Sequence, residues 1–279
     1  MLLSIKRGLA LALAAVGLPL SMAASASPST SVFLEDLTWT ELRDRITAGK
    51  TTVLLPIGGT ELSGPHIALG KHNQRVRVLA GRIAEKLGNA VVAPVVAYVP
   101  EGAITPPTGH MRWPGTISIP APVFEETLQA AVRSFRQHGL CHVVLLGDHG
   151  DYRASLNKVA AALNRAPGPC RVHALPEYYR AASADYPRAL AAKGFSAAEI
   201  GTHAGLADTS LTLAVDAALV RQELLSAPAG AAVGGSSGVG SGVGSGVAGD
   251  PRRATAELGR AGLDHIVEAS VAAIHAATR

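Results

Sequence analysis

Four short apolar runs, at 51–57, 90–99, 141–146 and 170–175, alternate with segments of helical periodicity at 73–87, 123–138 and 152–165. Runs dominated by Val, Leu and Ala with no polar alternation mark strands buried on both faces. Strands alternating with helices build a parallel sheet covered by helices. The expected fold is therefore α/β: a three-layer α/β/α single domain with a mainly parallel sheet. Further helices are predicted at 40–48, capped by Thr38 or Thr40, at 181–200 with a break at Pro187, and at 254–277. A short strand is predicted at 116–119. The segment 229–249 is Gly/Ser/Val/Ala-rich and repeats Gly-Ser-Gly-Val, which suits a flexible surface loop rather than a linker between domains.

The first 26 residues read as a signal peptide. Lys6 and Arg7 form a basic start, 8–20 an apolar centre, and Ala24-Ser25-Ala26 a small-x-small cleavage site. The mature domain would span 27–279, be exported to a periplasm or secreted, and carry no membrane segment after cleavage. The net charge is +4, and Lys6 and Arg7 supply two of those charges. No basic run follows and aromatic residues are only 4%, so nucleic-acid binding has no electrostatic support. Export permits a disulfide between the two cysteines, Cys141 and Cys170, which open two predicted strands. Two buried free thiols are the alternative, because strand adjacency is not given by the sequence.

Residues with chemistry concentrate in loops just after apolar runs, where open α/β sheets bind ligands. The loop after 51–57 carries Glu61, Ser63, His66 and His72 among glycines. The loop after 141–146 reads Gly147-Asp148-His149-Gly150-Asp151. A third stretch holds His203 and Asp208. Zn²⁺ and similar ions take imidazole nitrogen and carboxylate oxygen, so Glu61, His72 and His149 form a two-His, one-carboxylate set, with Asp151 as a fourth ligand or a base. Loop-fixing hydrogen bonds are the plainer role for each of these histidines. No Gly-x-Ser-x-Gly elbow follows an apolar strand run, the pattern at Gly234 to Gly238 falling inside the Gly/Ser-rich segment, which disfavours a serine nucleophile.

Read in order, these stretches resemble the creatininase (creatinine amidohydrolase) family. The resemblance is carried by Gly58 to His72, Gly147 to Tyr152 and His203 to Ser210. His110-Met111-Arg112-Trp113-Pro114-Gly115-Thr116 and Gly249-Asp250-Pro251 through Thr255 add to it. It implies a metal-dependent hydrolase of a non-peptide amide-type C–N bond, cyclic or linear. It also implies a homo-oligomer acting on a small-molecule amide. Glu61, His72, His149 and Asp151 would be metal ligands, and Asp151 and His203 the catalytic proton carriers. His66, His110, Arg112, Trp113 and Asp208 would line the substrate site. Two departures stand out: Ser63 replaces a family His and His72 a family Asp that bridges two ions. A neutral imidazole has one free lone pair and cannot bridge as a carboxylate does, so one ion per chain, Zn²⁺ or Mn²⁺, is expected rather than two. The alternatives are a non-catalytic exported protein that binds a metal or small molecule, and a metal-dependent peptidase.

Overall fold

The computed structural model describes residues 29–225 and 244–279. The signal segment 1–26 and most of the Gly/Ser-rich segment lie outside them. Four parallel strands form one sheet in the order β2-β1-β3-β4: β1 (Thr52–Ile57), β2 (Ala90–Val92), β3 (His142–Gly147) and β4 (Arg171–His173). Every residue of β1 is buried, as expected of a central strand covered on both faces. Its side chains alternate between two apolar layers. Val53, Leu55 and Ile57 pack with α3 (Ala121–Gln137) and α4 (Arg153–Leu163). Leu54 faces α2 (Lys71–Leu87), α8 (Leu206–Val215) and α9 (Ala256–Ala277). The expected three-layer α/β/α architecture is what the structure shows.

Several local signals act as the sequence suggests. Thr38 caps α1 (Trp39–Thr47) in a capping box with Glu41. Gly88 ends α2 in a left-handed conformation. Others act differently. The apolar run 90–99 supplies only a three-residue strand: Ala93 N–H still donates to Leu54 O, the register then shifts by one residue, and pairing with β1 resumes at Val96, whose N–H donates to Pro56 O. In place of the strand at 116–119 there is an isolated bridge between Ser118 and Val99. The helical stretch near Pro187 is built in pieces: α5 (Pro176–Arg180), a π-helical turn (Ala181–Asp185), α6 (Tyr186–Ala192) and α7 (Ala197–Ile200). Pro187 starts α6 rather than breaking it, since a first-turn N–H needs no partner. Cys141 and Cys170 are disulfide-bonded, tying β3 to its neighbour β4. The end of the segment expected to be a loose surface loop, residues 244–249, packs into the body. Val247 is buried beside Ile67 and Ala204, and Ala248 pairs with His203. No helix among the described residues is long and apolar enough to cross a membrane.

Candidate metal centre

The carboxyl ends of β1, β2 and β3 lead into loops that converge. After β1, Gly58 and Gly59 allow the chain to turn in close quarters. A Cβ on Gly58 would collide with Asn73, and one on Gly59 would meet Glu101 Oε1 at 2.7 Å. This turn delivers Glu61, fully buried. The loop after β2 supplies Glu101 and His110, also buried. Glu101 is anchored by its N–H, which donates to Ser118 Oγ at 2.9 Å. The end of β3 supplies His149. Its loop is held by Tyr152, whose buried hydroxyl accepts the N–H groups of Asp148 and His149 at 3.0 Å each. That hydroxyl donates to the carbonyl of Ile57 or Gly58 at 2.8 Å. One side chain thus ties the ends of β1 and β3 together.

Glu61, Glu101, His110 and His149 each present a donor atom, and all four donors lie within 4.8 Å of one another. His110 Nδ1 contacts Glu61 Oε2 and lies 3.1 Å from Glu101 Oε2; His149 Nε2 lies 3.2 Å from Glu61 Oε2. Glu61 Oε2 is shared between the two imidazoles, whereas Glu101 Oε1 is buried with no hydrogen-bond partner. Buried carboxylate oxygens normally find partners, so this arrangement suits a cation. Two imidazoles and two carboxylates are the donor set that a borderline divalent ion prefers, and the residues fit one. Without an ion, protons take its place. Burial alone would depress both imidazoles, but the carboxylates win. Hydrogen bonds from Glu101 and Glu61 raise His110 to about 10, and the charge of Glu61 raises His149 to about 9. Burial likewise opposes charge on Glu61, yet His149 and the hydrogen bonds from His110, His149 and His72 hold it well below the usual carboxylate range.

A second set of buried groups backs this centre. His72 sits between carboxylates, with Nε2 2.8 Å from Glu61 Oε1 and Nδ1 2.6 Å from Asp148 Oδ2. Arg75 donates to Asp148 at 2.9 Å and to Asp208 at 2.8 Å. Tyr178 donates to Asp148 at 2.7 Å. Lys71 pairs with Asp208, and its Nζ is 3.5 Å from Glu61 Oε1. Asp148 and Asp208 are held below the ordinary Asp range against burial, the first by Arg75 and His72, the second by Lys71 and Arg75.

Of the four ligands expected from sequence, Glu61 and His149 belong to the converging group. His72 stands next to it with both nitrogens engaged by carboxylates. Asp151 lies on the exposed turn before α4; its N–H donates to His149 Nδ1 at 3.3 Å, but its carboxylate is not one of the four donors. His110, expected to meet substrate, faces the donor group instead. His66 is buried in its own loop, with Nε2 3.0 Å from Thr209 Oγ1. Arg112 is exposed and Trp113 half-buried, its indole N–H donating to Gly244 O at 3.4 Å. Ser63 is buried with its hydroxyl unpartnered. Glu101 and Asp148 were missed. Glu101 directly follows an apolar run, and that position alone marks it.

His203 lies at the edge of the centre. Its Nε2 faces the carbonyl of Leu62 at 3.0 Å and must donate there, so in the neutral ring Nδ1 carries the lone pair. Nδ1 is 3.9 Å from Glu61 Oε1. Burial and the nearby Lys71 lower His203 to about 4. Ala204 beside it has a φ of 50°, a conformation L-residues seldom adopt outside functional turns. His149, His203, His72 and Asp208 open onto a cavity of about 660 Å³.

The family model for creatininase, described as creatinine amidohydrolase, matches residues 35–274. Among curated relatives, the creatinine amidohydrolase of Pseudomonas putida is 31% identical over 121 residues, 43% of this chain and 46% of that protein. The mycofactocin precursor peptide peptidase of Mycolicibacterium smegmatis (strain ATCC 700084 / mc(2)155) is 34% identical over 131 residues, 43% of this chain and 50% of that protein. The chain thus matches about half the length of these curated relatives. A crystal structure of a creatinine amidohydrolase superposes with a TM-score of 0.71 at 25% identity, covering 90% of this chain and 99% of that one. A match that runs through the sheet, the converging loops and α9 carries one conclusion: this chain belongs to the creatininase family.

Proposed function

We propose that this protein is a metal-dependent hydrolase of a non-peptide amide-type C–N bond. It would hold one divalent ion, zinc or manganese, at Glu61, Glu101, His110 and His149. The observation that carries this reading is the converging group of two carboxylates and two imidazoles, in which Glu101 Oε1 is buried without a hydrogen-bond partner. Charge supports a single ion. Four buried carboxylates, Glu61, Glu101, Asp148 and Asp208, face two fixed cations, Lys71 and Arg75, a deficit that one divalent ion makes good.

When bound, such an ion acts as a Lewis acid that polarises a carbonyl oxygen and lowers the pKa of water. The chain's own residues do the rest. His203 presents the Nδ1 lone pair toward the centre because Leu62 O holds Nε2–H, so Nδ1 can take a proton and return it to the leaving nitrogen. His72 keeps Glu61 in place, and Asp148, gripped by Arg75 and Tyr178, keeps His72 in place. Asp151 is too exposed for the proton-accepting role its motif position suggests. The disulfide supports an exported protein, since such bonds persist in oxidising compartments. Assembly into a homo-oligomer is part of the same proposal.

The test begins with elemental analysis of full-length protein purified from its exported compartment. It continues with turnover of lactams, linear amides, formamides and short peptides before and after chelation. About one ion per chain is expected, with chelator-sensitive turnover confined to a non-peptide amide. Failure to take up zinc or manganese would refute the metal centre. Cleavage of peptides alone would favour the peptidase reading, and a bound ion with no turnover a binding protein.

A further inference from the structure

We propose that the substrate of this site is an electrically neutral amide bearing an extended apolar group, considerably larger than creatinine. This rests on the hydrolase reading above and names its substrate class. The cavity of about 660 Å³ lies within the range of pockets that enclose drug-sized ligands. A ring of creatinine's size would leave most of it to water.

The charges lining the cavity are already paired. Lys71 is bound to Asp208, Arg75 to Asp148 and Asp208, and Arg188 at the mouth to Asp185. Beyond the metal centre, a carboxylate or ammonium at the far end of the substrate would be desolvated with no free side-chain partner, or would have to break an internal pair. The side facing these groups is mostly apolar, with Tyr179, Ser183 and Thr202 as its polar members. Ala182, Ala191, Ala197 and Ala207 line it, with Ile200 and Leu211. Ala191 and Ala197 are exposed, whereas Ala207, Ile200 and Leu211 are buried. The apolar strip therefore runs from the surface inward to the edge where His149 and His203 lie. Four alanines keep it wide. The π-helical turn at Ala181–Asp185, which carries Ala182 and precedes α6, sets the course of this wall. Such turns are frequent at functional sites.

A homologous series of straight-chain primary amides tests this on the full-length, zinc-loaded protein. Counterparts ending in a carboxylate or an ammonium group are run beside it. Binding is read by calorimetry and turnover as kcat/KM. Affinity should rise about fourfold per added methylene until the strip is covered, and the charged counterparts should bind at least about tenfold more weakly. Ala191→Trp and Ala182→Leu should flatten the chain-length dependence. A flat series in the unmodified protein, or charged counterparts binding as well as neutral ones, would overturn the inference. Turnover of short amides with no chain-length dependence would leave the hydrolase standing and this proposal refuted. A steep binding series without turnover would do the reverse.

Discussion

Replacing Glu101 by Gln separates the geometry of the metal centre from the expectation drawn from its motifs. Glutamine keeps the size of the side chain and removes its charge. Glu101 Oε2 is 3.1 Å from His110 Nδ1, and with Glu61 it lifts His110 from 6.5 to about 10 in the metal-free protein. Removing one of two comparable carboxylates while burial still opposes the charged ring should return more than half of that rise, about 2 pH units or more. A histidine NMR titration of metal-free Glu101→Gln reads this directly. Affinity for zinc should fall by more than about 100-fold, since even outer partners of metal ligands are worth 10–100-fold. Competition calorimetry against a chelator of known affinity measures it, with Asp151→Asn as the control. The exposed Asp151 lies outside the donor group, so its neutralisation should change affinity by no more than about threefold. If Asp151→Asn released the ion while Glu101→Gln kept it, the four-residue centre would be wrong and the motif-based ligand set right.

Two further outcomes follow from groups outside the donor set. Burial, reinforced by His142 and Arg171, depresses His173, whose Nε2 is 3.3 Å from His142 Nδ1. The unfolded chain then binds more protons below its pKa of 6.5, so stability should hold above pH 6.5 and fall as acid is added; His173→Gln should flatten that slope in urea unfolding, and an unchanged slope would refute the assignment. Tyr152→Phe leaves the His149 N–H without a partner, while the Asp148 N–H keeps the Ile57 carbonyl at 3.0 Å, and should cost about 1–3 kcal/mol, with weaker zinc binding because His149 loses its anchor; a loss below about 0.5 kcal/mol in denaturant unfolding would contradict that role.

Much of the fold was legible because it rests on local signals. Apolar runs at 51–57 and 141–146 became β1 and β3, and the glycines that end them opened the site. Glu61, His149 and His203 were legible for the same reason: each follows a strand or precedes a helix in a glycine-bearing turn. Glu101 was not, because the loop between Pro100 and Gly115 has no periodicity, and its course is set by a contact within it, Ala103 with Thr108, and one beyond it, Glu101 with Ser118. Asp151 shows the opposite failure. It is two residues from His149 in sequence, but the turn into α4 leaves its side chain in solvent. Residues 244–249 look like part of a flexible surface loop by composition, yet small residues are what lets that backbone pair with His203 and lie against Gly201 and Gly205.

The departures at Ser63 and His72 acquire a physical sense only when α2 is seen whole. Its first turn places Lys71, His72 and Arg75 on the side facing the sheet's carboxyl ends. There they meet Glu61 and Asp148, from the loops after β1 and β3, and Asp208, from the first turn of α8. A carboxylate at position 72 would lie against Glu61 and Asp148 and need a further cation to hold three negative charges together. An imidazole there brings no third negative charge and sits between the two carboxylates, with Nε2 on Glu61 and Nδ1 on Asp148. Ser63, buried and without a partner, contributes no donor strong enough to hold such an ion. The two substitutions are therefore consistent with each other: together they turn this side of the site into a fixed hydrogen-bonded wall. They leave the metal chemistry to the face where Glu101 and His110 meet Glu61 and His149.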